Sequence, residues 1–263
     1  MSQKVGVFCS SNNPSMWPGL YMSLTHNKID FNICVVGPTS PPTSTSYNLP
    51  PNFKYIQSNV KPVQCCFIAA NNTEGDYIIN VPDDARLSPG YLDKTYSVVN
   101  GQKNVVASGR YTAYLERWML ECFLIYSENL FGWNKKGEQY VIRMDSTIPV
   151  MPMIHRETFF DIGVDKNYIA AFWDIDIAFE LKSRGGRSVL VEDVFVDEIV
   201  ISDNSLSYYS RDIGDYAFLT NLWFYADNGK IRQYDKRRIP IEPMEYNTDV
   251  LKVSQGKNCS KWD

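Results

Sequence analysis

Asp83 and Asp84 stand side by side, directly after the apolar run Tyr77-Ile78-Ile79-Asn80-Val81 and shortly before the turn-forming Pro89-Gly90. Hard divalent cations take oxygen ligands, and Mg²⁺ commonly uses one or two carboxylates together with substrate phosphates. The pair therefore suits a metal that carries a phosphorylated ligand. It equally suits the N-cap of a helix, where Asp is favoured. A second acidic group lies in Phe172-Trp173-Asp174-Ile175-Asp176-Ile177-Ala178-Phe179-Glu180-Leu181, where Phe172, Ile175 and Phe179 mark one helical face. Residues two apart on a helix point about 200° apart, so Asp174 and Asp176 cannot both face one cleft from mid-helix. Asp174, at the helix start, is the better placed of the two to act as a general base. Alternatively, both simply favour the positive end of the helix dipole.

Strands and helices alternate through the first hundred residues and would position these groups. Val5–Cys9, Phe31–Val36, Phe53–Ile56 and Asp76–Val81 read as buried strands, and Trp17–Leu24 and Val63–Asn72 as helices. Near-continuous apolar strands separated by helices indicate a mostly parallel sheet covered on both faces. In such sheets ligands bind beyond the carboxyl ends of the strands. That rule points to Ser10-Ser11-Asn12-Asn13, to Gly37-Pro38 and to Pro82-Asp83-Asp84. Further along, Tyr114–Leu130 reads as a helix, Val141–Met153 as one or two strands, Tyr168–Lys182 as loop passing into helix, and Ser188–Val200 as strand. A final helix is expected over Asp212–Ala226. The simplest division is one domain over residues 1–201 with an extension over 202–263 packed on it.

Composition narrows the functional classes. With 26 Lys+Arg against 30 Asp+Glu the net charge is −4, and 44% of the residues are hydrophobic. That excludes a disordered chain. It also argues against nucleic-acid binding, which needs clustered cations, and Lys236-Arg237-Arg238 is the only short basic cluster. The six cysteines form no C-x-x-C pair and the two histidines are isolated, so a zinc site is not expected. Cys9, Cys34, Cys65 and Cys66 read as small buried hydrophobes of a reducing compartment. The N-terminal residues lack a signal-peptide pattern, and no apolar run of about 18 residues predicts a membrane span. A cytoplasmic protein is therefore expected. Neither G-x-G-x-x-G nor G-x-x-x-x-G-K-[ST] occurs.

Two blocks, EGDYIINVPDDARLSPGYL (residues 74–92) and MPMIHRETFFDIGVDKNYIAAFWDIDIAFELKSRGGRSVLVEDVFVDE (residues 151–198), carry a resemblance when taken in order. Together they resemble the nucleotide-sugar-dependent glycosyltransferases of the GT-A fold, and are similar to glycosyltransferase family 2. The resemblance spans roughly residues 3–200. It implies a Rossmann-like α/β sheet with helices on both faces and a C-terminal helical extension. Asp84 then matches the metal-binding Asp of a D-x-D motif and Asp83 its middle position, with Pro82 in place of the first Asp. Asp174 matches the catalytic base and Asp176 the Asp that follows. Glu198, beside Asp197, falls where the family often has a metal-binding His. Ser10, Ser11 and Asn12 match the nucleotide-contacting turn, while Gly37-Pro38 stands where an Asp often contacts the base.

The resemblance thus implies a metal-dependent, inverting hexosyl- or deoxyhexosyl-transferase. It would use Mn²⁺ or Mg²⁺ and a nucleotide-diphosphate sugar, with a glycan or another hydroxyl compound as acceptor. Arg86, Lys61, Arg110 and Arg184 are candidate diphosphate contacts, and His155 a candidate acceptor contact. The aromatic tail residues Tyr208, Tyr209, Trp223, Phe224 and Tyr225 are candidates for sugar stacking. Two other readings are a nucleotidyltransferase, although Ser10–Pro14 lacks Gly and Lys/Arg, and a non-catalytic carbohydrate-binding protein on the same fold.

Overall fold

The computed structural model describes residues 5–40, 49–113, 129–133, 139–143 and 151–199, and short stretches at 214–215, 218–219, 224–227, 230–233 and 252–255. Its frame is set by four parallel strands, β1 (Val5–Ser10), β2 (Phe31–Gly37), β3 (Phe53–Gln57) and β4 (Tyr77–Asn80), adjacent in the order β3-β2-β1-β4. β5 (Ala85–Leu87), β6 (Val105–Ala113), β9 (Met153–His155), β10 (Arg187–Glu198) and β13 (Lys252–Gln255) extend them to nine, in the order β13-β3-β2-β1-β4-β9-β6-β10-β5. β6 and β10 are parallel, whereas β13, β9 and β5 run antiparallel to their neighbours. β7 (Asn129–Trp133) pairs with β8 (Gln139–Arg143), and β11 (Phe224–Asp227) with β12 (Lys230–Gln233).

Alternation along the strands divides the core in two, because successive side chains point to opposite faces. Phe8, Cys34, Val36, Ile56 and Ile78 face one layer. That layer contains helices α2 (Pro62–Asn71), α4 (Arg156–Ile162) and α5 (Trp173–Ser183). Val5, Val7, Ile33, Val35, Tyr55 and Ile79 face the other, with α1 (Trp17–Thr25) and α3 (Tyr91–Val99). Cys9, Cys34, Cys65 and Cys66 are buried free thiols, packed as apolar groups. Burial pushes the Cys34 and Cys65 thiols up to about 12.

Two expected helices require correction. Most of the expected 114–130 helix, residues 114–128, lies outside the described residues, but Asn129 and Leu130 open strand β7. The expected 212–226 helix is helical at 214–215 and 218–219 and has given way to strand by Phe224. Consecutive aromatics at Phe224-Tyr225 favour the pleated conformation. Tyr208, Tyr209 and Trp223 lie outside the described residues. No helix among the described residues is long and apolar enough to cross a membrane.

The carboxyl ends of β1 and β2 are drawn tightly together. Ser11 donates its N–H to the Val36 carbonyl at 2.9 Å. A Cβ on Gly37 would meet the Ser11 carbonyl oxygen at 1.7 Å. Backbone cannot yield as the end of a side chain can, so only glycine fits. Gly37→Ala is expected to lower the unfolding free energy by about 2 kcal/mol or more, as overpacking against rigid atoms does. A urea titration checks this through a lower midpoint at unchanged slope.

Candidate active site

The acidic pair occupies the turn between β4 and β5. Ala85 donates its N–H to the Pro82 carbonyl at 3.1 Å, closing that turn, and a strand rather than a helix follows. Asp83 and Asp84 are therefore not helix caps. Ser11, buried at the end of β1, donates its hydroxyl to Asp83 Oδ2 at 2.5 Å. The same hydroxyl oxygen accepts the Trp17 indole N–H at 2.7 Å and the Asn13 backbone N–H at 3.2 Å. This small network ties β1, α1 and the acidic turn together and fixes the Asp83 carboxylate. Ser10 sits in the β1–β2 ladder opposite Val36, whereas Asn12 is exposed beyond it.

Two neighbouring carboxylates with restricted solvation hold protons more tightly than usual. Burial raises Asp83, opposed by the bond from Ser11. Asp84 is pushed up to about 6, by burial first and by the Asp83 charge second. Arg86 moderates both charges. Its guanidinium donates to the carbonyls of Asp83 at 2.7 Å, Ala85 at 2.8 Å and Met16 at 3.5 Å, and it packs against Gly19. The side chain thus braces the turn against α1.

The end of β10 arrives at the same place. Glu198 is in register with Ala85 and Asp197 with Arg86, and Ile199 donates its N–H to the Asp84 carbonyl at 2.8 Å. Among the described residues no three His, Cys, Asp or Glu side chains converge into a ready-made cation cage. Two crowded carboxylates still fit a hard divalent cation that completes its shell with water and phosphate oxygens. Asp83 and Asp84 would hold such an ion, with Glu198 nearby.

Asp174 stands in the first turn of α5, beside a narrow crevice lined by Phe8, Asn80, Ile154, Phe159 and Trp173. Phe8 and Asn80 place that crevice at the carboxyl ends of β1 and β4, the sheet end that also carries Ser11 and the acidic turn. Met151 donates its N–H to Asp174 Oδ2 at 3.2 Å. Burial raises the Asp174 carboxyl above its usual range, and the Met151 bond opposes the rise. Two non-glycine residues on either side of this contact are left-handed: Met151 at φ 50° and Phe172, the residue before α5, at φ 62°. Such conformations cost about 1–3 kcal/mol each and persist only where the surroundings over-determine them. Asp176 is buried among the residues of the helix core, at 3% exposure. The sheet thus brings Ser11, Asp83, Asp84, Glu198 and Asp174 to one end and leaves Asp176 in the packing.

The other candidate contacts are engaged elsewhere. Arg184 pairs with Asp161 at 2.7 Å and Glu180 at 3.1 Å, and Arg110 with Glu192 at 3.7 Å. Lys61 donates to the Lys166 carbonyl. His155 is opposite Tyr77, the first residue of β4, at the sheet end away from the acidic turn, with its ring 5.2 Å from that of Tyr77.

Solved structures share this fold at low sequence identity. GalNAc-T7, crystallised with UDP, GalNAc and Mn²⁺, superposes with a TM-score of 0.60 at 11% identity, covering 84% of this chain and 49% of that one. S. aureus TarS superposes with a TM-score of 0.52 at 13% identity, covering 75% of this chain and 37% of that one. The fold is that of the GT-A glycosyltransferases. This chain spans about half of the GalNAc-T7 chain and little more than a third of the TarS chain. No protein-family model and no curated sequence matches it. On the GT-A frame the turn after β4 and the start of α5 share the carboxyl end of the sheet, where doubly wound folds bind their ligands.

Proposed function

We propose that the chain is a glycosyltransferase moving a sugar from a nucleotide-diphosphate donor to an acceptor hydroxyl. The observation that carries this is that a crowded acidic turn, Asp83-Asp84, and a half-buried carboxylate, Asp174, lie at the same end of a GT-A sheet. The transferase region is residues 1–201, with residues 202–263 as its extension. In the direct displacement that follows, Asp174 accepts the acceptor's hydroxyl proton. The acceptor oxygen bonds to the anomeric carbon, the bond from that carbon to the phosphate oxygen breaks, and the nucleoside diphosphate leaves with the electron pair. One displacement inverts the anomeric centre.

Ser11 holds Asp83 in place, and Asn12, exposed at the strand end, is free to reach the nucleotide. Asp83 and Asp84, with Glu198 beside them, would hold a divalent cation, which when bound supplies charge neutralisation of the diphosphate. Arg86 keeps the turn closed around those carboxylates. The GalNAc-T7 structure, with its UDP, GalNAc and Mn²⁺, supports the same donor chemistry by analogy of fold.

A panel of nucleotide-diphosphate sugars, incubated with Mn²⁺ and with Mg²⁺, tests the reading through release of nucleoside diphosphate. At least one donor is expected to turn over. A panel in which no donor turns over and none shifts the melting temperature would sink it.

A further inference from the structure

Asp215 belongs to no motif and sits in the run Ile213-Gly214-Asp215-Tyr216-Ala217-Phe218, and it is only 2% exposed. Its carboxylate receives three successive backbone N–H groups. Ile169 donates to Oδ1 at 2.9 Å, Ala170 to Oδ2 at 2.7 Å and Ala171 to Oδ2 at 2.9 Å. Hydrogen bonds to an ionised acceptor are among the strong ones, and three in a row fix the peptide planes of the segment. The same segment is held from two other sides. Ile169 offers its carbonyl to the Val63 N–H of α2 at 3.1 Å. The Tyr168 ring lies edge-on to Phe218 at 4.9 Å, and Leu219 is fully buried in the same core layer. Lys61 adds a positive charge that interacts with Asp215 and Asp165.

The residue after this pinned segment is Phe172. It turns left-handed at φ 62°, and the chain then enters α5, with Asp174 in the first turn. Phenylalanine does not adopt this conformation unless its neighbours impose it, and the immovable amides of 169–171 are such an imposition. We infer that Asp215, from the stretch beyond residue 201, is a positioning residue that sets the direction in which Asp174 presents its carboxylate. The inference rests on the reading of Asp174 as the base.

The test uses the full chain and a donor that turns over in the panel with Mn²⁺. Asp215→Asn keeps the shape but withdraws the charge and one of the two acceptor oxygens. Its kcat is expected to fall about ten- to a hundredfold, the scale on which remote misplacement acts, while donor KM is unchanged. Asp215→Glu, which keeps the charge, is expected to recover most of that loss. In an Asp174→Asn background, Asp215→Asn is expected to add no further loss, because both changes act through one group. A merely structural role would lower the folded fraction and leave kcat per folded molecule, and the Asp174 coupling, untouched. Full kcat in Asp215→Asn, or equal losses in both backgrounds, overturns the inference while the transferase reading stands. Failure of both Asp215 variants to fold also overturns it, making the clamp architectural. A wild-type chain that turns over no donor removes the reading itself and the inference with it.

Discussion

Asp174→Asn is expected to reduce sugar transfer by about 10²- to 10⁴-fold, the contribution of a positioned general base, while donor binding stays near wild type. The separation follows from the geometry. Asparagine retains an oxygen that accepts the Met151 N–H, so the crevice wall keeps its shape. The Ser11–Asp83 network lies on other elements and does not use Asp174. The measurement is kcat beside the thermal shift produced by donor. Retained turnover moves the base to another carboxylate, whereas loss of the donor shift shows that Asp174 binds rather than reacts.

The same residue predicts a pH signature with two opposite signs. Burial raises its carboxyl in the folded state. A base must be deprotonated, so kcat is expected to fall as pH drops through that raised value, above the ordinary carboxylate range. Stability moves the other way. A group whose folded value is raised contributes stability that is present below its unfolded value and lost as pH rises through the folded one. Asp174→Asn should therefore remove the acidic limb of kcat and also flatten this part of the stability profile. Cys66 on α2 is a titratable neighbour that interacts with Asp174, and burial raises its thiol to about 11, so it stays neutral through this range.

The parts of this site that were legible in the sequence are those written in local pattern. The apolar runs of β1 to β4 stand between turn residues, so the parallel block and its carboxyl-end loops follow from the chain alone. Asp83-Asp84 is conspicuous because two carboxylates directly follow a buried strand. Asp174 and Asp176, two apart on α5, point apart as helix geometry requires, with Asp174 at the crevice and Asp176 in the core. What the sequence hides is pairing between distant segments. Ala85-Arg86-Leu87 is too short to announce a strand, and becomes one only because β10 lies beside it. Met153–His155 inserts antiparallel between β4 and β6, which no spacing encodes. Arg86 reads as a free cation until Met16 and Gly19 are seen against it. Asp215 belongs to no motif, and its three amide partners lie more than forty residues away.

Asp84→Ala is expected to abolish the stabilisation that Mn²⁺ and a nucleoside diphosphate together give the wild-type chain. At a hundred times its dissociation constant a ligand adds about 2.7 kcal/mol, which for a domain of this size raises the melting temperature by about 5–10 °C. Without Asp84 the turn keeps one carboxylate, too few to hold a doubly charged ion against water. The ligand-free variant is expected to change in the other direction. Asp84 is crowded by burial and by the Asp83 charge, and alanine relieves both, while the Asp84 carbonyl that accepts the Ile199 N–H is backbone and survives the substitution. A variant that melts no lower than wild type alone, yet gains nothing from nucleotide and Mn²⁺, is therefore folded and specifically deprived of its ligand site. A full shift in Asp84→Ala would transfer the role to Asp83 and Glu198. A wild-type shift that is identical with EDTA in place of Mn²⁺ would mean that the diphosphate is neutralised by protein cations. Arg86, the cation built into this turn, would then have to leave its three carbonyls to do it.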